Sequence, residues 1–324
     1  MFVALHRQFA RTLITSAAHT PYKYGSPVGQ YEKGKTPSPP KGHEGTFYPS
    51  FDNKLFMFTR KWEPEGQPRA TLTILHGTLD HSGSYSELAT HLQKCGIAVF
   101  GSDMRGWGLS DGEPLNFCDL DTFVKDIKHD YDRIHSDPKY VNVKPRFILG
   151  KSFGGVLAAH TVIRHPEAYS GLIGLSGTFD LKSAFPPHWA LQLLGGLSQV
   201  LPKLHVKQPF DPSAAIVDES ALAEWESDPL VPHGLATVKH ITTLARAVDD
   251  LQPLLPRLEL PLLMMWGSED TVVSLQGHQV VLDRSRSRDR TCKVYKGAHH
   301  SLLAEPAHRE HAFADIAAWI ARRA

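Results

Sequence analysis

Five residues, Gly150-Lys151-Ser152-Phe153-Gly154, fit the pattern G-x-S-x-G and stand between the strand-like text "FIL" and a helical run that starts near Phe153. A strand that turns sharply into a helix holds its serine in a strained backbone conformation with the hydroxyl in the open, and flanking glycines leave room for the neighbouring strand and helix. A glycine-rich turn without chemistry has the same composition, whereas a phosphate-cradling loop needs G-x-x-x-x-G-K-[ST], which this stretch lacks. A serine hydroxyl is a poor nucleophile at neutral pH, so it requires a general base, and the base requires an orienting carboxylate. In a sheet of this kind the chain order is Ser, Asp, His. Downstream, "LLMMWGSED" puts Asp270 a few residues past the end of a buried strand, with Glu269 as the rival carboxylate. "CKVYKGAHHSLL" then leaves the last strand with His299 and His300 on its loop, and residue type alone does not choose between them. Adjacent histidines point in different directions and no H-E-x-x-H occurs, which weighs against a metal site without excluding one.

Acyl transfer develops negative charge on the carbonyl oxygen and needs preorganised N–H donors. One is expected from Phe153, at the start of a helix whose dipole favours an anion, and the other from Thr78 in "LHGT" after an earlier strand. The turn "DMRGWGLSDG" at 103–112 reads as a structural element that shapes the floor of the site.

The elements that must position these residues follow from hydrophobic spacing. "TFYPSF" and "KLFMFTRKW" read as strands around an Asp-Asn turn, and "ATLTILHG", "IAVFGSD", "RFILG", "GLIGLSG", "LPLLMMWG" and "CKVYKG" as further strands. Between them apolar residues recur every three or four positions, as in Phe117, Leu120, Phe123, Val124, Ile127, Tyr131 and Ile134. Near-continuous apolar strands alternating with amphipathic helices predict an α/β fold with a mostly parallel central sheet and helices on both faces. Sites in such sheets lie beyond the carboxyl ends of the strands.

The 324 residues are 41% hydrophobic and 21% charged, enough apolar material for one large core. Lys and Arg number 35 against 34 Asp and Glu, so no basic field is available to hold nucleic acid, and the substrate is expected to be neutral or small. Cys95, Cys118 and Cys292 are odd in number and far apart, which suits a reducing compartment. No apolar run reaches the roughly 18 residues of a membrane-spanning helix. No acidic residue precedes Glu32, while Arg7, Arg11 and Lys23 alternate with apolar residues, so 1–31 resembles a mitochondrial transit peptide. Otherwise the location is cytoplasmic or at a membrane surface. Glycine and proline are dense from 25 to 45, which marks a linker, and the folded body is expected from 46 to 322 after an extension of 1–45.

With "LHGT", "DMRGWGLSDG", "GKSFGG", "LPKL", "SDPL", "PLLMMWGSED" and "KVYKGAHH" in this order and spacing, the chain resembles the serine α/β-hydrolases of the monoacylglycerol lipase and lysophospholipase-like family. The resemblance implies an α/β-hydrolase fold and a triad of Ser152, Asp270 and His300, the second histidine being the one at the family's position. It also implies an oxyanion hole at Thr78 and Phe153, no metal or organic cofactor, and hydrolysis of a long-chain acyl ester, with a small lipid ester as substrate. Lysophospholipase, thioesterase or general carboxylesterase activity shares this machinery, and a catalytically silent binding protein is the non-enzymatic alternative. The family's usual motif is Gly-His-Ser-Met-Gly, and Lys151 and Phe153 depart from it.

Between 177 and 240 the strand–helix rhythm breaks. "PPHWALQLLGGLSQVLPKL" is apolar nearly all round, so it is either packed on the sheet or part of a cap that lines an acyl channel and rests on membranes. The resemblance favours the cap, with Trp189, Leu194 and Leu197 as substrate-lining residues.

Overall fold

The computed structural model describes residues 36–181, 185–206, 212–234 and 236–324. The segment 1–31 expected to carry targeting information lies outside them. Ten strands are present among the described residues: β1 Thr46–Pro49, β2 Phe56–Trp62, β3 Ala70–Leu75, β4 Ile97–Asp103, β5 Arg146–Lys151, β6 Gly171–Leu175, β7 His205–Val206, β8 Ala236–Thr237, β9 Leu262–Gly267 and β10 Arg290–Tyr295. The α-helices are α1 Ser86–Lys94, α2 Leu120–His135, α3 Phe153–Arg164, α4 His188–Val200, α5 Pro212–Ala215, α6 Glu219–Ser227, α7 Val238–Leu251, α8 Leu275–Arg284 and α9 Arg309–Ala321.

Eight strands form one sheet in the order β1-β2-β4-β3-β5-β6-β9-β10. The first two strands meet the sheet antiparallel, around a turn in which Asn53 takes φ 55°, and all pairs from β4 to β10 are parallel. The side-chain period of two divides each central strand between two cores. Leu75, Ile148, Leu172 and Met264 face the layer of α2, α3, α7 and α8, while Ile74, Leu149, Ile173 and Met265 face α1 and α9. Both faces are thereby dry, which is why these strands read as unbroken apolar runs. The fold is that of an α/β-hydrolase, with α4, α5, α6 and the β7–β8 pair inserted between β6 and the sheet-covering α7. Among the described residues no helix is long and apolar enough to cross a membrane.

Three histidines are folded in as neutral rings. His135 donates through Nδ1 to the Tyr131 carbonyl at 2.8 Å, His278 accepts the Gly177 amide at Nε2 at 2.9 Å, and His240 accepts the Phe117 amide at Nδ1 at 3.3 Å. Burial pushes their pKa values from 6.5 down to about 4, about 4 and about 3. In the unfolded chain each ring binds its proton below pH 6.5, whereas in the fold it does so only near pH 4 or lower. The stability they contribute is present above pH 6.5 and is lost as pH falls toward 4. The free energy of unfolding is therefore expected to drop over this interval by about 1.4 kcal/mol per pH unit for each ring. Urea titrations at half-unit steps check this, and a flat profile would contradict it.

Candidate active site

The chain leaves β3 toward β4 on one side and continues from β5 toward β6, β9 and β10 on the other, so the topological switch point lies between β3 and β5. Loops leaving these two strands diverge and open a crevice above their carboxyl ends. Thr78 follows the first strand and Ser152 the second.

β5 ends at Lys151 and α3 begins at Phe153, so Ser152 alone makes the turn, with φ 51° and ψ −119°. Only close approach makes this conformation affordable. A Cβ on Gly150 would run into the Gly154 carbonyl, and one on Gly154 into the Leu75 carbonyl. The turn is bolted to the loop after β6: the Ser152 amide donates to the Leu175 carbonyl at 3.1 Å, and the Thr178 amide donates to the Ser152 carbonyl at 3.0 Å. His278 holds that loop in turn through the Gly177 amide.

His300 Nδ1 stands 2.9 Å from Asp270 Oδ2, and both side chains are almost wholly buried. The other carboxylate oxygen accepts the amides of Val272 and Val273 at 2.9 and 3.0 Å. Burial opposes the charge on Asp270, but the facing His300 ring and these amides outweigh it and hold the carboxyl below its ordinary pKa. With Nδ1–H directed at Asp270, Nε2 keeps its lone pair, the form a general base needs. The rival carboxylate, Glu269, is exposed and accepts only its neighbour Ser268's hydroxyl at 3.0 Å. His299 turns toward Glu305 instead, its Nδ1 3.6 Å from Oε2 and its amide donating to Oε1 at 2.7 Å. Ser152, His300 and Thr78 line one cavity of about 610 Å³. Among the described residues no group of three or more His, Cys, Asp or Glu converges on a metal position.

The two main-chain N–H groups expected to receive an anion, those of Phe153 and Thr78, are each held by their local structure. Phe153 is the first residue of α3, where amides lack an intrahelical acceptor and the helix dipole is positive. For Thr78 the direction is set by His76. Its Nδ1 donates to the Gly77 carbonyl at 2.8 Å while Nε2 accepts the Met104 amide at 3.0 Å. Carbonyl and N–H of a trans peptide point opposite ways, so fixing the Gly77 oxygen fixes the Thr78 N–H. The Trp107 indole N–H donates to the Thr78 carbonyl from below, which gives the turn at 103–112 its role as the floor.

A sequence profile of the family described as serine aminopeptidase, S33 matches residues 66–307. Human monoglyceride lipase is 31% identical over 269 residues, covering 83% of this chain and 88% of its own length, and the rat enzyme is 33% identical over 272 residues with the same coverage. The crystal structure of a soluble variant of monoglyceride lipase from Saccharomyces cerevisiae, with a substrate analogue, superposes with a TM-score of 0.77 at 20% identity, covering 94% of this chain and 99% of that one. The chain belongs to the S33 serine hydrolase family. It is a serine ester hydrolase of the monoacylglycerol lipase type.

In this S33 hydrolase the two departures around the serine have distinct surroundings. The Phe153 ring is fully buried among Trp107, Phe117, Phe123 and His240, with ring centroids 4.9–6.1 Å away, so only its main chain faces the site. Lys151 stands 3.5 Å from Asp80 Oδ2, an oxygen that also accepts the Tyr85 hydroxyl at 2.8 Å. Burial works against the Asp80 charge, yet the facing Lys151 ammonium brings its pKa down to about 2.

The expected substrate-lining residues require correction. Leu194 and Leu197 pack with Leu191 against Ile241 and Ala245 of α7, Trp189 is 45% exposed, and the cavity wall is built instead from Ile216, Trp225, Leu230 and Val231 with Leu79 and Phe313. The cause is that α7 offers α4 an apolar face, which takes those leucines away from the cavity. Sequence reading placed His76 in the "LHGT" loop and Trp107 in the floor turn without giving either side chain a partner, and it did not single out His278 or Asp80. The signal available for His76 was a histidine at the end of an otherwise apolar strand, directly before a glycine.

The geometry separates the two carboxylates. Asp270→Asn is expected to lower kcat about 10⁴-fold by favouring the wrong imidazole tautomer, while Glu269→Gln should stay within about twofold because the group is solvated. Steady-state turnover of a p-nitrophenyl ester checks both, and equal losses would reverse the assignment.

Proposed function

We propose that this chain hydrolyses carboxylic esters carrying one long acyl chain, a monoacylglycerol foremost, through an acyl-Ser152 intermediate. What supports the reading is that the positive-φ serine and the buried His300–Asp270 pair open into one cavity whose wall includes the apolar Leu79, Ile216, Trp225, Leu230, Val231 and Phe313. His300 Nε2 takes the proton from the Ser152 hydroxyl as the oxygen attacks the ester carbonyl. The same ring returns that proton to the departing alcohol, and water repeats the cycle to release the acid. The amides of Thr78 and Phe153 receive the oxyanion, each worth about 3 kcal/mol of transition-state stabilisation. The names of the human and rat relatives support a glycerol monoester as substrate.

We read 46–322 as the hydrolase domain, 177–240 as a cap inserted in it, and 1–45 as an extension whose first 31 residues serve targeting. The cap presents Leu193, Val200 and Leu201 to solvent at 67%, 77% and 51% exposure, and a lipid surface is the partner that such a face suits.

A fluorophosphonate probe should label the wild-type protein and not Ser152→Ala; equal labelling of the two would end the enzymatic reading. Among mono-, di- and triglycerides, lysophospholipids and short esters, fastest turnover is expected for monoacylglycerols, and turnover confined to acetyl or butyryl esters would demote the substrate to a short-chain one. In liposome flotation the protein should rise with the vesicles, and Leu193→Ser with Val200→Ser should leave it at the bottom without loss of turnover on a soluble ester. Flotation that survives both changes removes the cap from the contact.

A further inference from the structure

The inserted segment touches the loop that carries Thr78 at two points, and neither contact is needed for acyl transfer as such. The Trp225 indole donates to the Leu79 carbonyl at 2.9 Å, across 146 positions of chain. His81 Nε2 lies 2.8 Å from Asp228 Oδ2, across 147. The Gly83 amide donates to His81 Nδ1 at 3.0 Å, so the ring's proton sits on Nε2 and is given to Asp228. Asp228 is itself fixed, its Oδ1 accepting the Leu230 amide at 2.7 Å. Trp225 and Asp228 are one turn apart at the carboxyl end of α6, so both look at the same loop.

The Thr78 amide is thus flanked on both sides. His76 and Trp107 hold the Gly77 and Thr78 carbonyls from the sheet, and α6 holds Leu79 and His81 from the insert. A donor stabilises a transition state in proportion to how well its direction is fixed beforehand, and small misplacements are costly.

We propose that Trp225, His81 and Asp228 are positioning residues: the seating of the inserted segment sets the direction of the Thr78 N–H and so sets turnover, apart from any role the segment has in holding the acyl chain. This rests on the assignment of Ser152 as nucleophile and Thr78 as oxyanion donor made above.

The test uses the full-length protein and two esters, p-nitrophenyl acetate, whose acyl group is too short to fill the cavity, and p-nitrophenyl laurate. Trp225→Phe keeps an aromatic ring in the wall and removes the N–H donor, and Asp228→Ala deletes the acceptor. Each is expected to lower kcat about tenfold on both esters with KM for the acetate within twofold, short of the roughly 10²–10³ lost when a donor is removed outright. The affinity of a trifluoromethyl ketone, which mimics the tetrahedral intermediate, should fall by the same factor as kcat/KM. A loss confined to the laurate, or unchanged turnover of the acetate by Trp225→Phe, would overturn the proposal. Should Asp228→Ala fail to fold, the Trp225→Phe result decides alone. A wild-type protein that a fluorophosphonate leaves unlabelled would instead remove the serine assignment, so the two failures are told apart.

Discussion

A single residue converts β5 into α3, and the site is organised around the strain of that conversion. Ser152 at φ 51° is stable only because its amide and carbonyl are taken up by Leu175 and Thr178 of the next strand's loop, and because nothing larger than hydrogen stands at 150 and 154. The consequence for chemistry is geometric. The hydroxyl is lifted off the sheet, the next amide is left at a helix start without an acceptor, and the Phe153 ring is driven down into an aromatic cluster that includes Trp107. Trp107 is also the ring that holds the Thr78 carbonyl. The two amides proposed as oxyanion donors, those of Thr78 and Phe153, therefore share one support.

Charge in the site is handled by pairing, not by solvent. Asp270 keeps its negative charge in a dry setting because one oxygen faces His300 and the other meets two amides. Asp80 does the same with Lys151, Tyr85 and the His81 amide. His76, His135 and His278 solve the problem differently, by staying neutral and using each ring as one donor and one acceptor.

The sheet was legible in the sequence because parallel strands covered on both faces must be apolar along their length, and those strands were all found where the runs predicted. The serine was legible because few sequences satisfy the steric demands of its turn. The choice between Asp270 and Glu269 was not, since it depends on which carboxylate the turn folds back beneath the amides of Val272 and Val273. Nor was the choice between His299 and His300 legible from the residues alone, as it turns on Glu305 capturing one amide. The cavity wall was misjudged for a physical reason: a helix apolar all round, such as α4, carries no pattern that says which side is covered by a neighbour. Contacts such as Trp225 with Leu79 join positions 146 apart and have no local signature at all.

The placement of the tryptophans supplies a built-in optical readout. Trp225 forms part of the cavity wall with its indole N–H on the Leu79 carbonyl, whereas Trp107 is sealed beneath the loop at 0% exposure. An apolar molecule entering the cavity strips water from the first indole and leaves the second untouched, so a change in the emission of Trp225 reports occupancy above the background of the other five tryptophans. Chain entry can then be timed separately from bond cleavage, in a protein that needs no attached dye.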